Sequence, residues 1–73
     1  MDLTQILGRR VREERKRLGL SQEQLALDAD MKRSYLSDLE RGKRNPTVKA
    51  IERLAQALKV APWTLLRSRE HEA

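Results

Sequence analysis

The apolar residues of this chain recur every three or four positions in short runs, and a glycine or a proline closes each run. Leu3, Leu7, Val11 and Leu18 fall on one helical stripe, with Glu14 as the odd member at a matching position. Asp2 caps this first helix with Gln5 as its capping-box partner, Thr4 being the rival cap. The helix runs to about Leu18, and Gly19 supplies the left-handed residue that ends it. Ser21 and Gln24 form a second box, opening a short helix through about Ala29 with Leu25, Ala26 and Ala29 inward. Asp30 and Met31 make a tight turn. A third helix, from Lys32 or Arg33 to Arg41, presents Tyr35 or Leu36, and Leu39, to the core before Gly42 stops it. Asn45-Pro46 forces extended backbone. Thr47 then caps a fourth helix with Val48, Ile51, Leu54, Ala55 and Leu58 on its inner side. Pro62 suits the first turn of a fifth, which carries Trp63, Leu65 and Leu66.

The expected fold class is all-α: a compact bundle of five short helices over residues 1–66, followed by a polar, frayed tail over 67–73. A single long coiled coil is excluded, because Gly19, Gly42, Pro46 and Pro62 interrupt every candidate heptad run. Seventy-three residues bury one small core and no more. The absence of cysteine removes disulfides, thiol catalysis and every Cys-containing zinc site. No apolar stretch approaches the ~20 residues that span a bilayer. The start, Met1-Asp2-Leu3-Thr4, lacks the basic-then-apolar pattern of a signal peptide, so a cytoplasmic protein is expected. Enzymatic chemistry finds no footing either. The glycines are dispersed, the single His71 has no metal-ligating companion, and no Ser/His or carboxylate pair has a pocket-forming context, so no cofactor or metal is implied.

Charge gives the first functional direction. The net charge is +5, and it is unevenly placed. Arg9 to Arg17 holds six basic and two acidic residues, Leu18 to Met31 three acidic and no basic, and Lys32 to Lys49 six basic and two acidic. Two positive blocks around an acidic one suit a surface with a preferred face for a polyanion, against the plainer reading of well-solvated helices. The second and third helices are joined by a turn of only two or three residues, which forces a steep crossing, as in a helix-turn-helix. The third helix then protrudes far enough to enter a major groove. Its first turn, Lys32, Arg33 and Ser34, is all donors with no large apolar residue.

Three motifs now carry a resemblance: Leu20-Ser21-Gln22-Glu23-Gln24-Leu25-Ala26, Lys32 through Gly42 with its S-Y-L-S-D-L-E-R-G core, and Arg44-Asn45-Pro46-Thr47. Together they resemble the lambda-repressor-like (Cro/repressor, XRE) helix-turn-helix family over about residues 5–66, nearest to the controller proteins of restriction–modification systems. The resemblance implies five helices, sequence-specific binding of double-stranded DNA and a homodimer on a pseudo-palindromic operator, acting in transcription. It places Arg33 where family members read a base; an arginine fork pairs with guanine O6 and N7, the alternative being a phosphate contact. Lys32, Ser34 and Ser37 lie beside it as base or phosphate contacts. Asp38 faces the groove and either accepts from cytosine N4 or orients Arg33. Tyr35 packs half-buried or reaches the backbone or a thymine. Ser21 caps and Gln22 contacts phosphate while bracing helix three; the helix start itself binds phosphate. Lys43, Arg44 and Asn45 grip the DNA backbone, with Arg44 a candidate for a narrow minor groove.

Two further pairs follow from the same resemblance. Arg15 and Glu40 form an ion pair tying helix one to the end of helix three, buried or, in the plainer reading, a surface pair. Trp63, where many members carry a small polar residue, either repacks at the core edge or joins Leu66 in the dimer contact. Arg9, Arg10 and Arg12 are read as a solvated face. Glu23 and Asp28, on the solvent side of helix two, admit RNA polymerase as a partner. The competing function is a protein–protein module on the same fold, an antitoxin or coactivator bridge, for which only about seven residues follow helix five.

Overall fold

The computed structural model describes residues 2–68 as four α-helices and one 3₁₀ segment: α1 Leu3–Arg17, α2 Gln22–Asp28, α3 Arg33–Glu40, α4 Val48–Leu58, then Pro62–Leu66. Among the described residues there is no strand. The fifth expected helix is thus a five-residue 3₁₀ turn, which corrects the count of α-helices to four. Too few residues separate Pro62 from Arg67, whose backbone is already extended, for the i→i+4 ladder to propagate. The expected tail lies beyond the described residues from position 69 onward, and His71 with it.

Local chemistry sets the helix starts. Asp2 is the cap of α1: its Oδ1 accepts from the backbone N–H of Thr4 at 3.0 Å and from the Thr4 hydroxyl at 2.6 Å. Ser21 Oγ accepts from Gln24 N–H at 3.0 Å, and Thr47 Oγ1 from Ala50 N–H at 3.1 Å. Each of these satisfies one of the amide groups a helix start leaves open. The reciprocal half of the second box does not form, because Gln24 Nε2 donates forward to Asp28 Oδ1 at 2.9 Å. Gly19 and Gly42, at φ of 72° and 76°, turn the chain out of α1 and α3. Asp30, at φ 56°, makes the tight turn between α2 and α3.

The core is one cluster: Leu7 and Val11 from α1, Leu25 and Ala26 from α2 with Ala29 behind it, Leu36 and Leu39 from α3, Leu54, Ala55 and Leu58 from α4, and Leu65. Each buried leucine contributes roughly 1.5–3 kcal/mol, offset by the entropy of ordering so short a chain. Two expected members are absent. Leu3 is 49 % exposed and Val48 75 % exposed, because both sit in the first turn of a helix whose stripe extends past the element it packs on. Arg10 errs the other way, at 6 % exposure. Its Nε donates to the Thr64 carbonyl at 3.1 Å, Nη1 to Glu13 at 3.0 Å and Nη2 to Glu14 at 3.4 Å, while Glu14 also accepts from Arg17 at 2.7 Å. Charged Glu14 therefore keeps its place on the apolar stripe by being paired there.

α1 crosses α3 at contact distance, and one residue permits it. A Cβ built on Gly8 would lie 2.4 Å from the Leu39 carbonyl oxygen and 2.8 Å from that of Glu40. The bare backbone of α1 thus rests on the C-terminal carbonyls of α3. Arg53 of α4 closes α2 in a similar spirit, its Nε donating to the Ala29 carbonyl at 3.0 Å, a cation at a helix C-terminus. No described helix is long and apolar enough to cross a membrane.

Candidate nucleic-acid interface

α2 and α3 meet across the Asp30 turn, and the two helices divide the work. Leu36 and Leu39 pin α3 to the core, at 0 % and 1 % exposure. Helical spacing then turns Ser34, Asp38 and Arg41 to the opposite side, with Arg33 and Ser37 on one flank and Tyr35 on the other. Lys32, Arg33 and Ser34 are exposed, Ser37 and Asp38 half-buried. Lys32 is the cap residue of α3 yet makes no capping hydrogen bond, so the first turn presents open amides together with three polar side chains. These residues form a polar rim on the outward side of α3, exposed at its first turn and half-buried at Ser37 and Asp38.

Behind that rim stands a rigid brace. Arg15 Nε donates to Glu40 Oε2 at 2.7 Å and Nη2 to Oε1 at 3.0 Å, a two-pronged pair whose side chains are 12 % and 3 % exposed. The remaining donor, Nη1, reaches the Leu20 carbonyl at 2.9 Å, just before α2. Gln22 Nε2 adds a third bond to Glu40 Oε1 at 3.1 Å. One carboxylate therefore ties α1, the start of α2 and the end of α3 together. Ser21 is exposed and Gln22 half-buried beside it, and the Gln22–Glu40 bond fastens the start of α2 to the end of α3.

After Gly42 the chain runs without regular structure to Thr47, carrying Lys43, Arg44 and Asn45, all exposed. The loop is nonetheless fastened. Arg44 Nη2 donates to Asp38 Oδ2 at 3.3 Å, and its guanidinium carbon stands 5.0 Å from the centre of the Tyr35 ring. Arg41 Nη2 takes the other oxygen, Oδ1, at 2.6 Å. The Arg41 hydrogen bond, with Arg44 adding to it, holds the Asp38 carboxyl below its ordinary value. Asp38 thus serves Arg41 and Arg44, and among the described residues no hydrogen bond joins it to Arg33. Tyr35 is half-buried as a stacking surface for Arg44.

At the far end, Trp63 is 69 % exposed and Leu66 38 % exposed, while Leu65 between them is buried. Trp63 does not repack into the core edge. Sequence reasoning missed Gly8, whose place inside a helical run is a signal for close approach. It also missed Arg10, whose i+3 and i+4 glutamates were the visible sign of a paired charge.

Residues 11–62 match the family model described as Helix-turn-helix. The chain is 44 % identical over 62 residues to Control protein C.BamHI of Bacillus amyloliquefaciens, covering 84 % of this chain and 76 % of that one. The restriction-modification controller protein C.AhdI from Aeromonas hydrophila superposes with a TM-score of 0.82 at 44 % identity, covering 85 % of this chain and 94 % of its own. A hypothetical transcription factor from Neisseria, NHTF, superposes with a TM-score of 0.92 at 37 % identity, covering 97 % and 82 %.

Proposed function

The chain belongs to the helix-turn-helix family, and from that premise we propose that it is a sequence-specific regulator of transcription that binds double-stranded DNA as a homodimer, with α3 in the major groove. The observation that carries this is the polar rim of α3: Lys32, Arg33 and Ser34 project from a helix whose Leu36 and Leu39 are fixed in the core. Arg33 reads a base, with Lys32, Ser34 and Ser37 beside it. Ser21, Gln22, Tyr35, Lys43, Arg44 and Asn45 hold the sugar–phosphate backbone and set the register. Trp63 and Leu66 form the centre of the dimer contact, large apolar side chains left at the surface of a highly charged protein. A two-fold through that contact puts two α3 helices in successive major grooves, ~34 Å apart.

Selection of bound sites from random duplex, followed by binding at several salt concentrations, tests the reading. Wild-type affinity should fall steeply with salt, as released counterions require. Arg33→Ala should lose roughly 1–3 kcal/mol against the selected duplex, and lose discrimination at one position of each half-site. Trp63→Glu should sediment as a folded monomer with sharply weaker binding to the same duplex. A salt-independent interaction, or a Trp63→Glu protein that remains dimeric, contradicts the corresponding part.

A further inference from the structure

Within the basic block from Lys32 to Lys49 the acids are Asp38 and Glu40, and Glu40 is committed to Arg15 and Gln22. Asp38 is the acid that α3 turns toward the polar rim, where a negative charge opposes a polyanion. Both of its oxygens are engaged, one by each of two arginines whose side chains are 60 % and 48 % exposed. Each arginine gives the carboxylate a single Nη2, keeping Nε and Nη1 for another acceptor. Arg44 is additionally held over the Tyr35 ring, 5.0 Å from its centre, so two contacts restrict where its guanidinium lies.

We propose that Asp38 is a specificity-determining counter-ion: it holds Arg41 and Arg44 in fixed orientations, so that a duplex seated in register by α3 meets their remaining N–H groups, while a duplex out of register must pull them off the carboxylate. This rests on the DNA-binding reading above. The physical basis is an exchange. A phosphate that lines up with the free edge of an oriented guanidinium adds a charge-assisted bond without breaking the bond to Asp38. A phosphate elsewhere competes with the carboxylate for the same arginine and faces its uncompensated negative charge. Random duplex is therefore bound less well than the net charge of the face predicts, and the selected duplex is affected less.

Asp38→Asn removes the charge and leaves the shape. It should raise affinity for random-sequence duplex roughly tenfold at low salt and steepen the slope of log K against log salt by about one. Affinity for a duplex selected by the wild-type protein should change by less than about threefold, so the ratio of selected to random binding falls. Arg44→Gln should weaken random binding more in the Asp38→Asn background than in wild type, because only there is Arg44 free to follow any phosphate. This coupling is a second measure of the same device. Thermal melts within a few degrees of wild type establish that the variants are folded. Unchanged random-duplex affinity and slope in Asp38→Asn overturn the proposal. A loss confined to the selected duplex overturns it too, in favour of a direct base contact. Wild-type protein that binds no duplex in a salt-dependent way sinks the DNA-binding reading first, and this one with it.

Discussion

Two acids stand two residues apart on α3 and do opposite things. Glu40 points back into the molecule, where its side chain is 3 % exposed and receives bonds from Arg15 and Gln22. Asp38 points outward at 30 % side-chain exposure and receives Arg41 and Arg44. Both are arginine–carboxylate pairs with a short contact, 2.7 Å in one and 2.6 Å in the other. Distance therefore does not separate them; solvent does. Around Glu40 little water is available to replace a lost partner, so the pair is obligatory. Around Asp38 water and salt both compete, so the pair is exchangeable. On the proposed reading, α3 uses both kinds: one to fix where it stands, one to set how its neighbouring arginines meet DNA.

Breaking the buried member should have the largest effect. Glu40→Ala strands the Arg15 guanidinium and is expected to cost roughly 3–5 kcal/mol. In a chain this short that corresponds to a fall in melting temperature on the order of 15 °C or more, and calorimetry reads it directly. A shift of a degree or two would place this pair in the same class as the exposed one and erase the contrast. Gly8→Ala attacks the same side of α3 without touching a charge. Its Cβ would meet the carbonyl oxygens of Leu39 and Glu40, and lifting α1 should cost roughly 1–3 kcal/mol in urea unfolding, despite alanine's better helix propensity. A variant as stable as wild type would mean that α1 is free to slide.

The exposed member should have the smallest effect on stability. Asp38→Asn is expected to melt within about two degrees of wild type. Its pH dependence has a definite sign. The carboxyl is held below its ordinary value by Arg41 and then Arg44. Its contribution is thus fully present above the unfolded-state value and is lost as pH falls through the lower folded-state value. Urea titrations of wild type and Asp38→Asn should differ by a small constant above about pH 5 and converge in acid. Divergence in acid would reject the assignment of that shift to the arginine clamp.

Much of the fold was legible because helix ends are local events. Asp2, Ser21 and Thr47 cap wherever an open amide lies two or three residues ahead, and Gly19 and Gly42 adopt positive φ at little steric cost. The polar first turn of α3 and the two basic blocks are likewise properties of the string of residues. A stripe repeating every 3.6 residues, however, says which side chains share a face, not how much of that face a neighbour covers. Leu3 and Val48 lie on the right stripes but are only partly covered, whereas Arg10 falls beneath the 3₁₀ segment, whose Thr64 carbonyl it satisfies. That last segment could not be sized from sequence, since α and 3₁₀ turns share the proline start that suggested it. The partner of each charge on α3 was also decided only by assembly: the crossing of α1 over Gly8 delivers Arg15 to Glu40, and the return of the loop after Gly42 delivers Arg44 to Asp38. Local sequence determines where helices begin, where they end and what they display. Which displayed charges are trapped and which stay free to exchange depends on how much water the neighbouring helices leave around them.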